Sequence, residues 1–226
     1  MKRILFISHN ESNGSQLTWD FMRFNGVILE KVEPLAGEIL QDDPAGFDAV
    51  ITMGSPMTTW VSEFLEQQLS FLRHAIYRNI PVLGISSGAG ILAQACGVPV
   101  RKSESTKIGL PSICLTDEGR RDILFYGLPR RMRFFQSRND SLEMPYGAVQ
   151  LATSRDCSVQ AFRYRNAYGL RFHVDVSPGM VRDWVTTMPD REKNIRFYET
   201  FESVVQGQAR AIYGNFLWLV DICMAC

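Results

Sequence analysis

The stretch PVLGISSGAGILAQACG, residues 81–97, decides how the rest of the chain is read. An apolar run from Ile80 to Ile85 gives way to Ser86-Ser87-Gly88, and a helix-like apolar pattern follows over Gly88 to Ala95. Gly84-Ile85-Ser86-Ser87-Gly88 matches GxSxG, the elbow between a strand and a helix that presents a nucleophile at the top of a parallel sheet. The pattern wants glycine on both sides because the turn brings backbone too close for side chains. The helix that follows would aim its N-terminal amides at a developing oxyanion. The same five residues also suit a plain Gly/Ser turn joining β to α, so the elbow needs its surroundings.

Outward from that point, apolar runs alternate with helical spacing. Arg3 to Ser8, Val27 to Val32, Asp48 to Met53 and Ile80 to Ile85 read as strands; Gln16 to Asn25, Ser62 to Tyr77 and Gly88 to Ala95 read as helices. Such alternation predicts an α/β protein with a doubly wound, mostly parallel sheet flanked by helices. Beyond Val98 the strand candidates shorten to Ile113–Thr116, Met132–Phe135, Val149–Ser154, Val159–Tyr164 and Tyr168–Phe172, the last two joined at Asn166. These are expected to extend the same sheet. Ser177-Pro178 starts a helical stretch that runs to about Leu219, with a break near Pro189. The expectation is a single domain over 1–226, with 190–226 as a C-terminal helical extension.

With 46% hydrophobic residues in 226, the chain can bury a full core. Its 24 basic and 24 acidic residues cancel, so no global field draws it to nucleic acid or an anionic membrane. The apolar run after Met1-Lys2-Arg3 is too short for a signal peptide, and no segment approaches the roughly 20 apolar residues of a membrane span. A soluble, cytoplasmic protein with a small-molecule partner is expected. Five cysteines, an odd number, point to reduced thiols. Cys223 and Cys226 have redox-like spacing but read as a frayed tail.

A serine nucleophile needs a base, and the histidines are His9, His74 and His173. His74 falls inside a helical pattern and reads as surface; His9 ends the first strand, where a loop role fits. His173 closes the strand Tyr168 to Phe172 and is followed by Asp175. In an extended segment residues i and i+2 share a face, so the carboxylate could orient the imidazole. An isolated HxD is equally a satisfied polar pair.

Taken together in order, the motifs resemble the class I glutamine amidotransferases, specifically the small stand-alone GMP synthase-like proteins. Members of that family carry GGPM, PVLGICLGxQLLA, EIGW, FHWHxDxxxLPPGA, NQAFRY and YGLQFHPEVTPEMVxxW. This chain has Met53-Gly54-Ser55-Pro56-Met57, the 81–93 stretch, Lys107-Ile108-Gly109-Leu110, Asp140 with Pro145-Tyr146-Gly147-Ala148, Val159 to Tyr164, and Tyr168 to Trp184. The resemblance spans Met1 to Val185 and implies the flavodoxin-like amidotransferase fold. It also implies a site in which the elbow residue attacks the side-chain amide of glutamine, the histidine moves the proton to ammonia, and the acid two residues on orients the histidine. Carried over by position, the catalytic set is Ser86, His173 and Asp175, with Gly54, Ser55, Ser87 and Gly88 around the substrate and oxyanion. No metal or organic cofactor is implied. Ammonia would pass to a separate synthase partner, since the chain has no synthetase domain.

The departures from the family pattern cluster at the site. Ser86 stands at the cysteine position, Gly90 at the glutamine that helps hold substrate, and Ser55 at the oxyanion glycine. Gln136 and Arg138 replace two histidines, Leu110 the tryptophan of EIGW, and His173-Val174-Asp175 reads in place of HPE. A thiol of low pKa is a ready nucleophile, whereas a hydroxyl needs its proton removed during attack. Three readings follow: an amidotransferase homologue with weak or absent glutaminase activity; a serine hydrolase, such as the similar dipeptidase E and cyanophycinase, acting on a small amide or ester through Ser86, His173 and Asp175; and an active amidotransferase carrying a cysteine-to-serine replacement, against which Gly90 counts.

Overall fold

The computed structural model describes residues 1–9, 16–53, 63–174, 176–186 and 191–225. Five parallel strands form its centre: β1 (Arg3–Ile7), β2 (Ile28–Val32), β3 (Ala49–Met53), β4 (Val82–Ile85) and β11 (Ala167–Leu170), in the order β2-β1-β3-β4-β11. Alternation along β1, β3 and β4 explains why they are buried on both faces. Ile4, Phe6, Ala49, Ile51, Leu83 and Ile85 belong to one apolar cluster. Their neighbours Leu5, Ile7, Val50 and Val82 belong to the other. A strand apolar at every position must be covered twice.

Helices α2 (Glu63–Tyr77) and α3 (Ser87–Ala95) cover the second face with Leu69, Leu72, Ile91 and Leu92. The first face is covered by α1 (Gln16–Phe24) and by α6 (Arg191–Met224), through Met22, Tyr198, Tyr213 and Phe216. The two buried tyrosines of α6 satisfy their hydroxyls: Tyr198 Oη donates to the Val176 carbonyl at 2.7 Å, and Tyr213 Oη bonds Thr18 Oγ1 at 2.6 Å. Phe-sized burial of this kind contributes about 2–3 kcal/mol per side chain before entropy is counted.

Beyond β11 the sheet continues antiparallel through β10 (Cys157–Tyr164), β9 (Val149–Ser154), β6 (Ser112–Leu115) and β7 (Arg131–Arg133), nine strands among the described residues. Between β6 and β7 lies the short α4 (Asp117–Arg121), capped by Thr116 Oγ1, which accepts from the Gly119 amide at 2.9 Å. The five later strand candidates all fall in this sheet, as expected, and two further strands are not among those read from the sequence. β5 (Val100–Gly109) and β8 (Gln136–Leu142) do not extend this sheet but pair with each other as a two-stranded ribbon. Their sequences, VRKSESTKIG and QSRNDSL, lack the apolar alternation that marks a half-buried strand. A correction concerns the chain end: α6 continues to Met224, and Cys223 packs against the core instead of fraying. Cys96, Cys114 and Cys157 are free thiols. The expected break near Pro189 and residue Cys226 lie outside the described residues. No helix among the described residues is long and apolar enough to cross a membrane.

Candidate active site

Three strands end level with one another. Ile85 of β4 is in register with Met53 of β3 on one side and Leu170 of β11 on the other. Ser86 leaves this edge at once, with φ 56° and ψ −118°, and its amide donates to the Leu170 carbonyl at 2.7 Å. A side chain in that backbone region costs about 1–3 kcal/mol and persists only where the surroundings enforce it. The surroundings here are the two glycines of the elbow. A Cβ on Gly84 would come 2.7 Å from the Gly88 carbonyl oxygen, and one on Gly88 would come 2.1 Å from the Thr52 carbonyl oxygen. Strand β4, the first turn of α3 and the end of β3 therefore meet at backbone contact, which is the steric demand read from GxSxG.

Ser86 and Ser87 are half-buried and Gly88 to Ala93 are buried, so only the first residues of the elbow reach the surface. The Ser86 carbonyl accepts from the Ala89 amide at 3.0 Å. The first-turn amides of Ser87 and Gly88 have no acceptor within the helix. Gly90 lies further into the same buried helix. Gly54 and Ser55, placed around the oxyanion by the family resemblance, lie outside the described residues.

His173 follows β11 on the same edge of the sheet. Its amide donates to the Phe135 carbonyl at 2.8 Å, and its ring lies 4.6 Å, centroid to centroid, from Trp184 of α5 (Pro178–Trp184). Phe135 stacks on the same indole at 5.3 Å, so the imidazole is wedged on an aromatic wall and only 8% exposed. Ser177 caps α5 by accepting from the Met180 amide at 3.3 Å. Ser86 and His173 thus leave neighbouring strands at the same end; Asp175 lies outside the described residues.

The other departures are woven into the scaffold. Gln136 Oε1 accepts from Gln160 Nε2 at 3.2 Å, and both side chains are buried. The Arg171 guanidinium, 4% exposed, pairs with the Asp140 carboxylate, donates to the Asp140 carbonyl at 2.9 Å and reaches Cys157 Sγ at 3.5 Å. Arg138 donates to the Asp156 carbonyl at 3.2 Å, and burial draws its pKa below the ordinary guanidinium value. Leu110 is a core residue.

His9, for which the sequence suggests a loop role, is instead buried, 7% exposed. Its Nε2 lies 2.6 Å from Gln68 Oε1, and Gln68 Nε2 donates to Thr52 Oγ1 at 2.8 Å. The signal that could have found it is the period of two: Leu5, Ile7 and His9 continue one face of β1. His74, by contrast, lies on α2 as expected, with its Nδ1 3.3 Å from the Asp42 carbonyl oxygen.

Burial lowers the His9 pKa, against a smaller opposing effect of the Gln68 hydrogen bond. A depressed pKa in the folded state means the unfolded chain takes up the proton first. The neutral ring's stabilising contribution is therefore complete above the unfolded value, about 6.5, and is lost as pH falls from there toward the folded value. Melting temperatures recorded from pH 7.5 to 5.5 should fall less steeply for His9→Gln than for the parent chain. Parallel curves would show that His9 does not resist protonation.

With this geometry in place, the likenesses to other proteins acquire a structural meaning. The family profile described as glutamine amidotransferase class-I matches residues 22–183. A glutamine-hydrolyzing GMP synthase subunit of Thermococcus kodakarensis is 33% identical over 177 residues, covering 73% of this chain and 87% of that one. A glutamine amidotransferase-like protein of Salmonella typhimurium is 30% identical over 186 residues, covering 76% of this chain and 75% of its own. Among solved structures, a glutamine amidotransferase from Thermotoga maritima superposes with a TM-score of 0.84 over 97% of this chain and 98% of that one. At 24% identity that likeness speaks for the fold. The doubly wound sheet, the serine elbow at its carboxyl edge and the family match over most of the chain agree, and the chain belongs to the class I glutamine amidotransferase family.

Proposed function

We propose that this chain is a class I glutamine amidotransferase-like protein whose glutaminase site is altered, so that hydrolysis of free glutamine is weak or absent. The observation that carries the reading is the pairing of Ser86, at the elbow, with Gly90 in the same helix, where family members have cysteine and glutamine. In this reading Ser86 stands where the attacking atom would be, but its hydroxyl is a poor nucleophile at neutral pH unless a base removes its proton. Without a side chain at Gly90, one contact that would hold glutamine against the attacking atom is also missing.

A second reading is favoured by the strain kept at Ser86. Backbone at φ 56° and ψ −118° is costly for a serine that does nothing. In a serine hydrolase, Ser86 Oγ attacks the carbonyl carbon of a small amide or ester. His173 takes the hydroxyl proton and passes it to the leaving ammonia, amine or alcohol, while Asp175 holds the ring. The Ser87 and Gly88 amides, with Gly54 and Ser55, stabilise the oxyanion. If ammonia is made, it goes to a synthase partner, as the name of the Thermococcus relative suggests.

Two assays separate these readings. The parent chain incubated with glutamine should release no ammonia above background. A fluorophosphonate probe should label Ser86 only under the hydrolase reading, and His173→Ala should then abolish the label. Ready ammonia release by the parent chain would overturn the altered-site proposal in favour of serine-dependent glutaminase chemistry.

A further inference from the structure

The buried bond sequence His9–Gln68–Thr52 has no part in the chemistry just described, yet its components come from three elements and are almost wholly out of solvent. His9 is 7% exposed, Gln68 1% and Thr52 0%. Desolvating three polar side chains is costly unless they are paired, and apolar residues of similar size would fill the same space without that penalty. A buried polar chain does, however, fix geometry in a way that apolar packing does not.

Its geometry follows from the donors. With Gln68 Nε2 given to Thr52, the Oε1 facing His9 can only accept, so the imidazole carries its proton on Nε2. Nδ1 is then a bare acceptor, buried and without a hydrogen-bond partner among the described residues. One link runs from the end of β1 to α2, and the other from α2 back to β3. Together they hold the departure of the chain from β3 and its return in α2 at a set spacing.

Thr52 in turn bears on the elbow. It pairs with Gly84 across the β3–β4 ladder, and its carbonyl oxygen occupies the space a Gly88 side chain would need. Any shift of Thr52 along or out of the sheet is therefore passed by backbone contact to the first turn of α3 and to Ser86. We propose that His9 is a positioning residue: through Gln68 and Thr52 it sets the seat on which the Ser86–Gly88 elbow rests. The elbow arm of this proposal stands on the geometry alone; its catalytic arm rests on Ser86 being the reacting group.

Amide hydrogen exchange on the whole chain reads the elbow directly, whatever the protein's activity. His9→Phe keeps a ring of similar bulk and removes the donor; His9→Gln offers an amide N–H near the lost Nε2. Exchange across residues 84–92 should rise about tenfold in His9→Phe, with α6 unchanged, and return to within about twofold of the parent in His9→Gln. Val205→Ala, a cavity in α6, controls for general loosening and should leave 84–92 protected. Should His9→Phe fail to fold, Thr52→Val, which removes the Oγ1 acceptor at nearly constant volume, must open the elbow in the same way.

For the catalytic arm, the His9 substitutions are placed in a Ser86→Cys/Gly90→Gln background. There His9→Phe should lower kcat for glutamine about tenfold with KM within about twofold, and His9→Gln should rescue it. Unchanged exchange at 84–92, or a uniform rise throughout the chain, would overturn the positioning role. A selectively opened elbow with no glutaminase activity even in the Ser86→Cys/Gly90→Gln background would instead overturn the reading that these two positions alone silence the site, and leave the positioning role of His9 standing.

Discussion

Gly88→Ala is expected to abolish the folded site. The added Cβ would lie 2.1 Å from the Thr52 carbonyl oxygen and 2.8 Å from its carbon, distances at which backbone must move. Overpacking in a tight core costs about 1–3 kcal/mol, and more where the obstacle is main chain that cannot rotate away. Here the obstacle belongs to β3, which is hydrogen-bonded on both sides, by β1 and by β4. A loss of at least about 3 kcal/mol is therefore expected, a large share of the stability of an ordinary domain. Urea unfolding checks it: the midpoint should drop sharply, or the protein should fail to accumulate in soluble form. Gly207→Ala, where nothing lies within 4 Å of the new Cβ, should be neutral or slightly stabilising. A Gly88→Ala chain as stable as its parent would mean that β3 and α3 are not in contact.

The second large effect is chemical. Ser86→Cys should raise glutamine hydrolysis from background by orders of magnitude if the rest of the site can still hold substrate, because the thiol ionises near pH 8.5 or below while a hydroxyl does not ionise at all in this range. Adding Gly90→Gln should then lower KM more than it raises kcat, since a substrate-holding side chain acts on the ground state and the transition state alike. Steady-state ammonia release for the parent, Ser86→Cys, Gly90→Gln and the double variant forms a cycle. Recovery only in the double variant would show that recognition was lost along with reactivity. A flat cycle would move the weight to the serine-hydrolase reading.

Much of this arrangement is legible in the residues, for reasons that are themselves physical. β1, β3 and β4 announce themselves because a strand covered on both faces is apolar at every position, and the observed ends fall within two residues of those read from sequence. The elbow is legible because its glycines answer to sterics, which leave a mark on residue type. The ribbon of β5 and β8 is not, because neither strand carries an apolar alternation in its sequence. His9 escapes for a different cause: a single polar residue at a strand end has no local partner, and Gln68 is distant in sequence though adjacent in space. Ser86 and His173 can be chosen from motif order, yet the aromatic wall of Phe135 and Trp184 that seats the imidazole arises only when the segment entering β8, the end of β11 and α5 come together.

The hydrogen bond from the Ser86 amide to the Leu170 carbonyl has a consequence for the order of assembly. β4 and α3 are contiguous and can form early, but the strand that accepts the Ser86 amide is supplied from far along the chain. Pairings so distant in sequence form late, because closing the intervening loop costs entropy before any contact repays it. On a growing polypeptide the Ser86 amide would lack this acceptor until β11 had emerged and paired with β4. The bond that ties the Ser86 amide to the sheet is thus made only when the last parallel strand has joined it.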